Sequence, residues 1–482
     1  MVFRIIFVVA LLVLSVYNFF YKISILQNQY YSIKRYVIYK KENMETIVIN
    51  LFFALLSFIL CFWNESFSFL FLFFFINHLN FKNIKLTNRI VIQFIVFCIL
   101  NALNILFLLF NYSIHLLFIY SYSCFWISFI ISSFIEKIKC FFFIKKAQNK
   151  LKKYKVTTIA ITGSFGKTSC KNYCYELIKN QYKVLMTPHS YNTLNGVLLT
   201  INNLLKPYHE ILILEIGVDC KKGMDKFTKY FDFDFCLVSA IGSQHIKTFK
   251  SIENIFNEKI KLLTNAKKGV VLNKDDLYLK RLNLNIKTIS ASSKDEKQDI
   301  HIQKVDNQLL IKIFTKQYKV NSSLIGKHNL SNLACCIAMA KLVKVDDYII
   351  INAIENIKNV EHRLSINKVG KWTIIDDSYN ANYVGFNNAL DEIKNYGCYK
   401  VIITPGVIEQ INDSSLELSL ANKINSTCDL IILIDNPPIS KYIDNKLSFN
   451  SFKDAYTYLK ENYIDKELVL LIENDVPDIY LR

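Results

Sequence analysis

The chain has 482 residues, a formal net charge of +18 and a hydrophobic fraction of 52%. That length leaves room for about two to four domains, and the hydrophobic fraction excludes a purely soluble protein and points to membrane segments. No DNA- or RNA-binding signature accompanies the positive charge, so nucleic acid is excluded as the partner. The charge suits either orientation at an anionic membrane face or attraction of phosphorylated substrates.

Residues 1–145 read as an α-helical transmembrane region. Apolar runs fall at Val2–Phe20, Ile47–Trp63, Phe67–Leu79, Ile90–Phe110 and Ile114–Ile135, against the roughly 20 apolar residues that a crossing helix needs. Basic residues crowd two of the intervening segments (Lys22, Lys34, Arg35, Lys40 and Lys41; Lys82, Lys85 and Arg89) and are missing from the other two. The positive-inside rule then puts the N-terminus outside and everything after Ile135 in the cytoplasm: a multi-pass cell-membrane protein with about five helices and membrane lipids as partners. Residues 146–157 form a basic linker.

From Val156 the pattern alternates short apolar strands with longer helices, the mark of α/β structure. Expected strands are Thr158–Thr162, Ile211–Ile216, Phe235–Ala240, Gly269–Leu272 and Lys287–Ile289, then a hairpin from Ile300–Val305 and Gln308–Phe314 turning at Asp306-Asn307. Helices are expected at Thr168–Lys179, Ile252–Thr264 and Ser331–Val343. A second α/β block follows, with strands Trp372–Asp376, Lys400–Thr404, Leu430–Ile434 and Leu468–Ile472 and helices Gly385–Asn395, Leu416–Ser426 and Phe452–Asn462. The fold class is therefore a membrane region followed by two α/β domains: a central P-loop-type domain with a mostly parallel sheet over 158–360, and a smaller Rossmann-like domain over 361–482.

The first chemical signal is Thr162-Gly163-Ser164-Phe165-Gly166-Lys167-Thr168. A buried strand, a glycine turn and a helix start bring backbone N–H groups and a helix N-terminus to one point, a ready anion site, and a lysine there suits a polyphosphate. Ile161 stands where the full Walker spacing has glycine, so the run alone also fits an ordinary strand-to-helix turn. Glu215 ends an apolar strand and His245 follows another, each at the carboxyl edge where ligands bind in such sheets; each residue also fits a structural role.

Together with Ser190–Gly196, Gly217, Gly242, Ser251, Glu253, Lys259, Gly326–Asn332, His362–Leu364 and Asp376-Asp377-Ser378-Tyr379-Asn380-Ala381-Asn382, these runs resemble the Mur ligases. The likeness spans roughly 157–482, and the last run resembles the D-alanyl-D-alanine-adding branch. The resemblance implies an ATP-dependent ligase that makes an amide bond through an acyl phosphate. It would join D-Ala-D-Ala or a related amine to a peptidoglycan precursor peptide, small or lipid-linked. Lys167, Lys259, His245 and Arg363 would be catalytic. Gly163, Ser164, Gly166, Lys167, Thr168, Asn329, Asn332, Arg363 and Asp377 would hold ATP. Asn192, Thr193, Tyr379, Asn380 and Asn382 would face substrate. Thr168 and Glu215 would serve one Mg²⁺, and His245 with a carbamylated Lys259 a second. The sequence departs from the family in three places. Apolar runs occupy the place of the N-terminal UDP-binding domain, Lys261 stands where an acidic residue is usual, and Thr404–Glu409 replaces a Gly-Asp-Met run. Rival readings are a superfamily ligase extending a polyglutamate chain or modifying a lipid-linked precursor, and a nucleotide-switched transport or scaffold protein.

Overall fold

The computed structural model describes residues 15–27, 31, 33, 36–37, 84–109, 114–306, 308–379, 383–407 and 414–474. They fall into two units, Met1–Phe142 and Phe143–Arg482.

In the first unit, residues 15–27 are helical, α1 is Asn88–Leu109 and α2 begins at Ile114 and runs to Tyr154. Phe19, Ile23, Leu26, Ile90, Phe97, Phe125 and Phe129 pack into one core, in which Gln93 and Asn101 are also buried. Among the described residues, no helix is long and apolar enough to cross a membrane. This corrects the transmembrane part of the expected fold class and the multi-pass localisation, and removes the ground for a membrane-lipid partner. The physical reason is that an apolar run records burial without recording what buries it. Side chains packed helix against helix read the same as side chains packed in lipid. The runs Ile47–Trp63 and Phe67–Leu79, and Val2–Phe20 up to residue 14, lie outside the described residues.

The second unit carries two sheets. In the first, the strands are β1 (Thr157–Thr162), β2 (Val184–Met186), β3 (Ile211–Glu215), β4 (Phe233–Val238), β5 (Ala266–Asn273), β6 (Thr288–Ser292), β7 (Ile300–Val305), β8 (Gln308–Ile313) and β9 (Lys316–Asn321), in the order β2-β3-β1-β4-β5-β6-β7-β8-β9. Pairing is parallel from β2 to β7 and antiparallel through the β7-β8-β9 meander. The central strands are unbroken apolar runs because helices or loops cover both their faces. On one face lie α3 (Lys167–Ile178) and α6 (Lys327–Leu342), which pack on each other and share a core with Ile159, Ile213, Leu237 and Val271. Between them in sequence come α4 (Leu194–Leu199) and α5 (Ile252–Lys259).

The second sheet has the order β10-β11-β15-β12-β13-β14. Its strands are β10 (Ser365–Val369), β11 (Trp372–Asp377), β12 (Tyr399–Thr404), β13 (Leu430–Ile434), β14 (Lys446–Phe449) and β15 (Leu468–Glu473). All pairs are parallel except β10 with β11. Between the two sheets in sequence comes α7 (Asp347–Asn356), which packs against α3 and β9. Alternate residues of β15 serve opposite faces: Val469 and Leu471 pack with α8 (Tyr383–Lys394) and α9 (Ser414–Thr427), while Leu468, Leu470 and Ile472 pack with α10 (Phe452–Tyr463).

Both sheets are mostly parallel, as the alternation of strand and helix leads one to expect. Strands β2, β9, β10 and β14 escape sequence reading because they are short or polar (Lys316-Gln317-Tyr318-Lys319 in β9). Their place is set by a neighbouring strand rather than by an apolar run of their own. Ile337 is fully buried at the middle of α6. Ile337→Ala should lower unfolding stability by about 2–5 kcal/mol in urea titrations, the usual cost of a core cavity.

Candidate active site

The parallel pairing aligns the carboxyl ends of β1, β3 and β4, with Ile161 opposite both Glu215 and Leu237. The turn after β1 therefore opens between the ends of two other strands. A Cβ on Gly163 would collide with Ser239 Oγ just past β4. Gly166, at φ 77°, precedes α3, and a Cβ there would meet Asn332 Oδ1 of α6 at 2.6 Å. Only glycine fits both points, and the result is a backbone cradle at a helix N-terminus. Ser164 closes one side: its N–H donates to the Ala240 carbonyl at 2.7 Å, and its hydroxyl exchanges 3.0 Å hydrogen bonds with Gly242. Lys167 folds back over the turn, donating to the carbonyls of Gly163 (2.9 Å) and Ser164 (3.0 Å) and to Gln244 Oε1 (3.1 Å).

Glu215 is buried at the end of β3. Its Oε1 accepts from the Thr168 hydroxyl and from the Asn192 amide, each at 3.2 Å, and its Oε2 lies 3.1 Å from Lys171 Nζ. The structure thus gathers Thr168, Asn192 and Lys171 around Glu215, with Lys167 folded over the turn that precedes them. Thr193 does something else: its hydroxyl caps α4 by accepting from Gly196 N–H at 3.2 Å. The hard oxygens of Thr168 and Glu215 suit Mg²⁺.

Lys259 is buried and donates to the Gly163 carbonyl at 2.9 Å. Burial first, and the Lys167 charge next, hold its ammonium well below the ordinary lysine range. His245 sits at φ 59° and opens the single helical turn Ile246–Phe249. Among the described residues, no group of three or more His, Cys, Asp and Glu side chains is gathered for a metal ion.

Asn329 and Asn332 lie buried on the first turns of α6. The Asn329 amide nitrogen donates to the Ile325 carbonyl at 2.9 Å, while its Oδ1 is buried with no partner. An orphan acceptor of this kind fits an amino group such as that of adenine. From the second sheet, the Arg363 guanidinium stacks 4.8 Å from the Tyr379 ring, and the Tyr379 hydroxyl donates to Ser190 Oγ at 3.0 Å. Asp377 is buried and accepts from Leu364 N–H at 3.0 Å. Asn380 and Asn382 lie outside the described residues.

Three residues of the site escaped the sequence reading. Lys171 repeats one helical turn after Lys167, a spacing that puts both on one face of α3. Gln244 adjoins His245 and looks like any loop polar residue. Glu473 ends β15 in register with Asp377; in sequence it is a strand-end carboxylate like many others. Burial, and after it the neighbouring Asp377 charge, push the Glu473 carboxyl well above the usual range.

A glycine cradle with a lysine over it, an oxygen pair beside it and an orphan acceptor further along is built to hold a nucleoside triphosphate for phosphoryl transfer. The chain is an ATP-dependent carbon–nitrogen ligase of the Mur type. Residues 161–340 match the Mur ligase middle domain. The chain is 27% identical over 336 residues to the UDP-N-acetylmuramoyl-tripeptide--D-alanyl-D-alanine ligase of Buchnera aphidicola subsp. Baizongia pistaciae, covering 66% of this chain and 72% of that one. It is 25% identical over 261 residues to the enzyme of the same name from Bacillus subtilis, covering 52% and 56%. Its fold matches the MurF ligase of Thermotoga maritima in complex with ADP, with a TM-score of 0.61 at 22% identity over 70% of this chain and 80% of that one.

Two outcomes follow from this geometry. Gly166→Ala, strained at positive φ and set against Asn332, should weaken ATP binding at least about tenfold in calorimetric titration. Glu473 keeps its proton in the folded state above the pH at which the unfolded chain loses it, so its contribution to stability is complete below about pH 4.5 and declines as pH rises. Glu473→Gln, neutral throughout, should lose less melting temperature than the parent between about pH 5 and pH 9.

Proposed function

We propose that this ligase joins D-alanyl-D-alanine, or a closely related amine, to a carboxylate of a UDP-linked muramoyl peptide. The observation that carries the reading is the Tyr379–Ser190 hydrogen bond. It joins the run Asp376–Asn382, typical of the D-alanyl-D-alanine-adding branch, to the loop bearing Asn192 beside Glu215. The names of the relatives matched over about two thirds of the chain support the same substrates.

In this reading the carboxylate attacks the terminal phosphorus of ATP, giving an acyl phosphate and ADP. The amine then attacks the acyl carbon, phosphate leaves with the C–O electron pair, and the amine loses a proton. The chain's part is positioning and charge neutralisation. Lys167 exchanges its backbone carbonyls for phosphoryl oxygens. Asn329 takes the adenine amino group, Asn332 supports the turn beneath Gly166, and Arg363 and Asp377 approach the nucleotide from the second sheet. Asn192 faces the acceptor.

Thr168 and Glu215 would hold Mg²⁺, which when bound neutralises charge on the phosphoryl oxygens. Lys259 is suited to carbamylation, since its burial favours the neutral amine that carbon dioxide requires. Its carbamate and His245 would hold a second Mg²⁺. Lys167→Ala should lower amide formation at least about a hundredfold. Phosphate release should require ATP, the muramoyl peptide and the amine together, measured by a coupled phosphate assay. Phosphate release at full rate without amine would sink the ligase assignment.

A further inference from the structure

Lys171 lies on α3 one turn beyond Lys167 and is among the most deeply buried large side chains of the protein. Its ammonium meets two partners in the fold: Glu215 Oε2 at 3.1 Å, with both side chains 1% exposed, and the carbonyl of His189, a residue held at φ 42°. A surface ion pair would mean little, but one removed from water binds the charges to each other. The Glu215 carboxylate thereby hydrogen-bonds Thr168 and Asn192 through one oxygen and faces the Lys171 charge with the other.

That engagement bears on the metal. A buried carboxylate with no countercharge would take up a proton or a stray cation. With Lys171 against it, the Glu215 carboxylate has a countercharge within 3.1 Å while the site waits. A divalent cation arriving alone at Thr168 and Glu215 meets a carboxylate whose charge is already spent and a second cation close behind it. A cation arriving with a triphosphate brings the negative charge that offsets Lys167, Lys171 and the metal together. We infer that Lys171 is a built-in countercation of Glu215, a positioning residue that makes metal entry depend on the nucleotide's phosphates. The inference rests on the proposal that Glu215 is a metal ligand.

The test is Mn²⁺ binding to the full chain, followed by electron paramagnetic resonance, with and without a non-hydrolysable ATP analogue. Wild type should bind Mn²⁺ weakly without the analogue. Lys171→Met, which keeps the stem and drops the charge, should bind nucleotide-free Mn²⁺ about tenfold more tightly, as loss of a nearby like charge predicts. Lys171→Arg should keep the wild-type pattern. Wild-type protein that binds Mn²⁺ as tightly alone as with the analogue overturns the inference and needs no variant. So does a folded Lys171→Met protein, judged by circular dichroism, whose nucleotide-free affinity is unchanged or weaker. Glu215→Gln separates the two layers. If it loses analogue-dependent Mn²⁺ binding while Lys171→Met behaves as wild type, only the countercation fails. If it keeps that binding, the metal-ligand reading fails and the countercation with it.

Discussion

A carboxylate buried at the end of a parallel strand is the constraint on which the site depends. Glu215 sits where the pairing of β1 and β3 puts it, level with the residue just before the phosphate turn. Its charge must be met at once in a place with little water. Thr168 and Lys171 come from α3, and Asn192 from the loop before α4. Two separate elements converge on the end of β3 because one acid requires them. The loop carrying Asn192 is tied in further, since Asn192 accepts from Gly217 N–H at 2.7 Å and Gly217 has no room for a Cβ beside it.

The Gly163 carbonyl is the second point of convergence. Two lysines donate to it, Lys167 from α3 and Lys259 from α5. Like charges held that close raise the cost of keeping both protonated. The more deeply buried of the two, Lys259, bears that cost as a depressed ammonium. An electropositive turn of this kind has most to gain from an incoming polyphosphate, which ties the energetics of the cradle to its ligand.

The second sheet uses the opposite sign. Asp376, Asp377 and Glu473 crowd the ends of the adjacent strands β11 and β15. They are managed by different means. His362 lies 2.7 Å from Asp376, the Leu364 N–H serves Asp377, and Glu473 retains a proton. Arg363, from the same region, stacks over the Tyr379 ring. Its charge, after burial, also helps hold His328 at about 4 and therefore neutral.

Much of this was legible in the order of residues. Continuous apolar runs mark parallel strands, so β1, β3, β4, β11, β13 and β15 could be read directly, as could the glycines, lysine and threonine between β1 and α3. The short polar strands could not, because their place comes from a partner strand. The apolar N-terminal runs misled for a related reason: hydropathy is the same for a side chain facing lipid and for one facing another helix. Thr193, expected to face substrate, also caps a helix with its hydroxyl, a role its place before Leu194 does not announce. Lys171 and Glu473 carried no signal, since a lysine on a helix and an acid at a strand end are common. The sequence by itself determined the elements and the phosphate turn, because backbone conformation and apolar patterning are local properties. Only the tertiary structure decided which charges face each other, because burial and electrostatic pairing depend on groups far apart in the chain.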